Sequence, residues 1–184
     1  MIQLIGPGGA GKSTVGCELA SHLGLPFIDL DHEFMRHVGD ISHQIAHRGY
    51  ESYAFENVQL YLSLMTRTRP AVMALSSGFM TYPENIHPDY VTICSAITES
   101  STAFVLLPSL GREACVRETV RRQSARPFGR AAEKEEAVIR ERYARYMAVP
   151  VPKIETMRPP VEIVKQICAR LPPNRDDHLN RLRC

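Results

Sequence analysis

Residues 6–14 read Gly6-Pro7-Gly8-Gly9-Ala10-Gly11-Lys12-Ser13-Thr14. Glycines let main-chain N–H groups approach an anion where side chains would stand in the way. The lysine adds a positive charge, and the hydroxyl beside it can ligate a divalent cation. The spacing Gly-x-x-x-x-Gly-Lys-Ser is that of a loop that wraps nucleotide phosphates at the start of a helix. On this reading Gly8, Gly9, Ala10, Gly11 and Thr14 belong to the nucleotide cradle, Lys12 reaches the β- and γ-oxygens, and Ser13 ligates Mg²⁺, with ATP as the nucleotide. With glycine at about 7% of residues, a chance match in a chain this size has a probability below roughly 1%. The bland alternative is a glycine-rich turn with an exposed lysine.

A second group of reactive residues follows in Phe27-Ile28-Asp29-Leu30-Asp31, at the end of a short apolar run. Beside a phosphate loop, one carboxylate can hold the Mg²⁺ shell and the other can orient or deprotonate an acceptor hydroxyl. The competing reading makes Asp31 a helix cap and Asp29 a solvated loop residue.

These residues need strands and helices to hold them. Ile2 to Ile5 ends at Gly6-Pro7 and reads as a buried strand. Ser13 to Leu23 carries Val15, Leu19, Ala20 and Leu23 at helical spacing, with Gly24 as the C-terminal cap. Pro26 to Leu30, Ala71 to Leu75 and Ala103 to Leu107 read as further strands, and Lys153 to Glu155 as a last one. Helical patterns lie between them at Asp40 to His47, Tyr53 to Thr66, Arg112 to Arg122, Glu133 to Met147 and Val161 to Leu171. Alternating strands and helices predict a doubly wound α/β fold with a central parallel five-stranded sheet and ligands at the strand carboxyl ends.

The 184 residues, 44% hydrophobic and 23% charged, suit one globular domain, expected over residues 1–171 with a loose tail at 172–184. A net charge of +2 lacks the basic surplus of a nucleic-acid binder. No run approaches the roughly 20 apolar residues of a membrane span. Cys17, Cys94, Cys115, Cys168 and Cys184 are widely spaced, which suggests reduced thiols in the cytoplasm. The seven histidines form no compact metal-ligand pattern. The expected partner is a small-molecule acceptor, with no nucleic acid and no membrane, for a monomeric protein.

The phosphate loop, the FIDLD segment about fifteen residues later, an arginine-proline segment and an Arg-x-x-x-Tyr helix together resemble the shikimate kinase family over most of residues 1–171. The resemblance implies a nucleoside-monophosphate-kinase-like P-loop fold, a mobile lid at about 112–130, and transfer of the ATP γ-phosphoryl group to a ring hydroxyl. It implies that Asp29 lies near the metal and that Asp31 holds the acceptor's hydroxyls. Within Gln123-Ser124-Ala125-Arg126-Pro127-Phe128, it makes Arg126 the lid arginine that reaches the transferring phosphate. It assigns Arg142 to the acceptor's carboxylate, with Tyr146 in the matching aromatic place, and puts Arg121 or Arg122, with Arg158 and Pro160, beside adenine. Arg117, Arg140 and Arg145 read instead as a solvated face with surface ion pairs.

Two places depart from the family pattern. Family members carry an arginine where this chain has Ala54, within Gly49-Tyr50-Glu51-Ser52-Tyr53-Ala54-Phe55-Glu56-Asn57. Losing such a charged donor costs about 1.5 to 3 kcal/mol, or one to two orders of magnitude in binding a carboxylate. Arg48 is the nearest replacement in sequence. The family's three glycines after the third strand are here Ser76, Ser77 and Gly78, which implies a changed acceptor pocket lined by those residues. The expected function is an ATP-dependent kinase of shikimate kinase type, acting on shikimate or a related small polar acceptor. The alternatives are a non-catalytic nucleotide- or metabolite-binding module and a gluconate- or nucleotide-type kinase.

Overall fold

Four consecutive apolar or amide residues, Ile2–Ile5, form strand β1, and all four are buried. In the computed structural model β1 is the centre of a five-stranded sheet. It is flanked by β3 (Val72–Ala74) and β4 (Ala103–Leu107), with β2 (Phe27–Asp29) and β5 (Lys153–Glu155) at the edges. Every pairing is parallel, with Ile2 opposite Val72, Leu4 opposite Phe104 and Leu106 opposite Ile154. The structure describes residues 1–67, 70–124 and 132–173, with the side chains of 132–135 excepted. Arg126, residues 125–130 of the expected lid and residues 174–184 of the expected tail lie outside them.

Parallel neighbours need crossover connections, and helices supply them. These are α1 (Lys12–Leu23), α2 (Leu30–His37), α3 (Ile41–Arg67), α4 (Tyr90–Thr98), α5 (Arg112–Ser124), α6 (Ala132–Ala148) and α7 (Pro160–Cys168). Two short 3-10 turns, Phe79–Thr81 and Glu84–Ile86, follow β3. Because strand side chains alternate, each central strand feeds two cores. Leu4, Val72, Phe104 and Leu106 pack with Val15, Leu19, Ile163 and Ile167 of α1 and α7. Ile5, Met73, Leu75, Val105 and Leu107 pack on the other side with Phe34, Tyr53, Phe79 and Tyr146.

The expected strands all form. Gly24, in the left-handed region at φ 64, closes α1 as anticipated. Two helices were not anticipated. α2 begins directly after the second strand because the Asp29 side chain caps it, accepting from the N–H groups of Asp31 and His32. α4 buries Tyr90, Ile93 and Ile97, which share one helical face. The two helical patterns expected around residues 40–66 form as two helical segments of α3 on either side of Gly49, whose φ of 83 and ψ of 163 break the helix.

The order β2-β3-β1-β4-β5 puts the carboxyl ends of β1, β2 and β3 next to one another. The glycine-rich loop, the aspartate pair and the serine pair each begin at the carboxyl end of one of those strands or within two residues of it, so the sheet gathers them.

Candidate active site

The loop after β1 turns tightly over the sheet. A Cβ at Gly6, where φ is 147, would lie 2.3 Å from the main-chain oxygen of Leu106, so that position takes glycine only. Gly11, at φ 90, ends the loop and starts α1 without a side-chain cap, leaving the helix's first N–H groups to face the cavity. Lys12 is buried and donates to the carbonyls of Gly6 (2.7 Å) and Pro7 (3.0 Å), which folds its ammonium group over the loop. Thr156, after β5, holds the loop from behind by donating to the Ala10 carbonyl at 2.7 Å.

A cavity of about 120 Å³ opens above this loop, and Gly8, Lys12, Ser13, Asp29, Asp31 and Ser77 are among the residues lining it. Ser13 Oγ donates to Asp29 Oδ2 at 2.5 Å, while Asp29 Oδ1 caps α2. Asp31 is in the first turn of α2, and its Oδ1 accepts from Ser76 Oγ at 2.5 Å and from Tyr53 OH at 3.4 Å. Ser76 in turn accepts from Asn57 Nδ2 at 3.0 Å, and Asn57 Oδ1 accepts from Tyr82 OH at 3.2 Å. Burial holds both phenols protonated: the negative charge of Asp31 adds to it at Tyr53, and the neighbouring Tyr53 adds to it at Tyr82.

The serine pair divides. Ser77 lines the cavity, whereas Ser76 is 1% exposed and its hydroxyl is turned inward onto Asp31. The expectation that Ser76 lines the acceptor pocket therefore gives way: its one proton is already given to Asp31. Ser77 Oγ accepts from Arg142 at 3.3 Å, its carbonyl accepts from the buried Tyr146 at 2.8 Å, and Arg142 also donates to Tyr50 OH at 3.3 Å. Gly78 leaves room for this arrangement, since a Cβ there would lie 2.4 Å from Tyr50 OH and 3.3 Å from Arg142 Nη2.

Ala54 is fully buried. Arg48 does not replace the missing guanidinium, because it pairs with Glu56 at 2.5 Å. Residues 54 and 56 are about 200° apart around a helix, so Arg48 serves the opposite face.

A second cavity, of about 340 Å³, lies across the loop, and Gly9, Gly11, Thr14, Arg122, Arg158 and Pro160 are among the residues lining it. Of the two arginines left open by the sequence, Arg122 is the one at the loop: it donates to the Gly9 carbonyl and to both the hydroxyl and carbonyl of Thr156. Arg121 points to solvent and pairs with Glu118. Hydrogen bonds from Arg121, then Arg122, hold the Glu118 carboxyl down at about 2, so it stays charged and braces Arg122 at 2.7 Å. Arg140 and Arg145 make surface ion pairs with Glu113, Glu136 and Glu141.

Several site residues escape the sequence. Gln123, at the end of α5, reaches over Gly8, and its amide nitrogen would be 2.0 Å from a Cβ there. Asn57 carried one signal: it is an amide on an otherwise apolar helix face with Tyr53, Val58 and Tyr61. Thr156 and Glu118 carried none.

The sequence model described as Shikimate kinase matches residues 8–172. Shikimate kinase 2 of Dickeya chrysanthemi is 30% identical over 173 residues, covering 90% of this chain and 92% of that protein. The shikimate kinase of Acinetobacter baylyi is 39% identical over 84 residues, a match that takes in 46% of this chain and spans 47% of that relative's length. Among solved structures, the shikimate kinase from Acinetobacter baumannii in complex with shikimate superposes with a TM-score of 0.66 at 26% identity, covering 91% of this chain and 89% of that one.

Proposed function

The chain belongs to the shikimate kinase family, and on that premise we propose that it transfers the γ-phosphoryl group of ATP to a hydroxyl of a small polar acceptor, with shikimate as the first acceptor to test. The observation that carries this reading is a single cavity shared by Lys12, Ser13, Asp29, Asp31 and Ser77. It joins a phosphate cradle to a carboxylate and a hydroxyl suited to an alcohol.

The residues present fit Mg²⁺. Ser13 Oγ and Asp29 Oδ2 are hard oxygen donors side by side at the cavity wall, and they would hold it. The ion supplies charge neutralisation on the phosphate oxygens. Lys12 adds positive charge at the loop, and the N–H groups opening α1 bind phosphate oxygens. Asp31 orients the acceptor hydroxyl. The hydroxyl oxygen forms the new P–O bond as the bond to the ADP oxygen breaks, and its proton passes to Asp31 or to solvent. Positioning and charge stabilisation account for most of such a reaction. Arg142, braced by Ser77 and Tyr50, binds the acceptor's polar or anionic group. Arg122, Arg158 and Pro160 form the base side of the nucleotide site. Arg126, outside the described residues, is assigned the role of neutralising charge on the transferring group as the lid closes.

The cytoplasm and a monomeric state complete the proposal. Cys17, Cys94, Cys115 and Cys168 are free thiols, and among the described residues no helix is long and apolar enough to cross a membrane. Light scattering checks the monomer.

The test is coupled ADP release from MgATP with and without shikimate, followed by polyols and hydroxy acids. Shikimate-dependent turnover supports shikimate as the acceptor despite Ala54. Turnover on another acceptor assigns the altered pocket to that compound. Tight ATP binding without stimulation by any acceptor overturns the kinase reading and leaves a nucleotide-binding module.

A further inference from the structure

Four residues behind the cavity form a chain of hydrogen bonds with a fixed direction. Tyr82 OH donates to Asn57 Oδ1, Asn57 Nδ2 donates to Ser76 Oγ, and Ser76 donates its only proton to Asp31 Oδ1. The amide of Asn57 cannot accept at its nitrogen, so Ser76 has no choice of partner for its own proton. Asn57 and Ser76 are 0% and 1% exposed, so bulk solvent does not reach either. Tyr53 meets the same Asp31 oxygen at 3.4 Å, too long to hold a carboxylate by itself. Among the described residues both of Asp31's side-chain hydrogen bonds go to Oδ1, and Asp31 lines the cavity, which leaves Oδ2 as the oxygen for a ligand there. The Asp31 main chain is held separately, through its N–H to Asp29 Oδ1 at 3.1 Å.

We propose that Ser76 is a positioning residue for Asp31: aimed by Asn57, its hydroxyl locks Oδ1 and presents Oδ2 to the acceptor hydroxyl. The proposal rests on the reading of Asp31 as the acceptor's partner. It gives the Ser76-Ser77 pair two tasks. Ser77 shapes the pocket with Arg142, and Ser76 fixes the carboxylate behind it. A glycine at either place supplies neither bond.

The test is a double-mutant cycle on acceptor-dependent turnover, with Ser76→Ala and Asp31→Asn alone and together. Ser76→Ala is expected to lower kcat by about tenfold to hundredfold, the loss that a misplacement of about 1 Å can cause, while KM for ATP changes by less than about twofold. In the Asp31→Asn background the same substitution is expected to change kcat by less than about twofold, because residues acting through one group are not additive. Ser76→Thr, which keeps the hydroxyl, restores kcat. Ser76→Gly repeats the loss and replaces the alanine variant if that fails to fold, as judged by the thermal midpoint. Where Asp31→Asn turnover falls below detection, acceptor affinity by titration takes the place of kcat in the cycle. Unchanged kcat in Ser76→Ala, or an equal loss in both backgrounds, overturns the positioning role while leaving Asp31 in place. Wild-type kcat and acceptor KM in Asp31→Asn alone would instead remove Asp31 from the site, and the role of Ser76 with it.

Discussion

Ser13 Oγ lies 2.5 Å from Asp29 Oδ2, joining the first turn of α1 to the end of β2. The other oxygen of the same carboxylate caps α2 and receives the N–H of Asp31. One side chain therefore ties the phosphate side of the cavity to the acceptor side, and its two tasks separate by mutation.

Serine is as good a helix cap as aspartate but carries no charge. Asp29→Ser is expected to keep the thermal midpoint near wild type while the Mg²⁺ concentration for half-maximal turnover rises by at least about tenfold, the scale of losing a charged hydrogen-bonding group. Asp29→Ala loses the cap as well and should be less stable by about 1 kcal/mol. Thermal denaturation beside a Mg²⁺ titration reads both.

Gly78→Ala brings a methyl group to within 2.4 Å of Tyr50 OH and 3.3 Å of Arg142 Nη2. Since those two groups hydrogen-bond to each other, the methyl separates them. Acceptor KM should rise by about tenfold or more, as for loss of one hydrogen bond to a charged group, with ATP affinity unchanged. Steady-state kinetics with each substrate varied in turn separates the two effects.

Arg122 bridges the Gly9 carbonyl and Thr156, and Thr156 holds the Ala10 carbonyl. Arg122→Ala frees the loop from α5 and from the segment after β5. KM for ATP should rise by about tenfold to hundredfold while acceptor KM stays within about twofold of wild type, following the cost of removing a charged donor. Equal increases in both constants would speak for general loosening of the fold.

Much of this arrangement is legible in the residues alone. Ile2 to Ile5 and Ala103 to Leu107 are apolar at every position but Gln3 because both faces of the central strands are covered, and Gly24 closes its helix by the left-handed turn that glycine permits. The phosphate loop is legible because its chemistry lies within nine consecutive residues. The second helix is hidden in the sequence because its cap, Asp29, is also the last residue of β2, so no turn separates the two elements. Adjacent serines look alike in sequence, so Ser76 and Ser77 both read as pocket lining. Which of them turns inward is decided by Asn57, nineteen positions away. The same holds for Arg121 and Arg122: both pair with Glu118, and only the Gly9 carbonyl and Thr156 tell them apart.

Burial raises the pKa of Tyr53 and Tyr82 above the ordinary value of 10.0, with the charge of Asp31 adding to the shift at Tyr53. Above about pH 10 the unfolded chain loses these protons while the folded chain keeps them, so protons are bound more by the native state and stability falls as pH rises. Their contribution is fully present below that pH. The denaturant midpoint should decline from about pH 10 upward, and Tyr82→Phe should decline less steeply from its own neutral value. A midpoint flat through that range would contradict the protonated network behind Asp31.

The most direct measurement follows the phosphorus itself. Phosphorus NMR of the protein mixed with MgATP and shikimate, then with each polyol or hydroxy acid in turn, reports where the γ-phosphoryl group goes. A phosphomonoester of one acceptor appearing in step with ADP is the predicted result. ADP accompanied only by inorganic phosphate, or ATP unchanged with every acceptor, would contradict transfer to a hydroxyl held at Asp31.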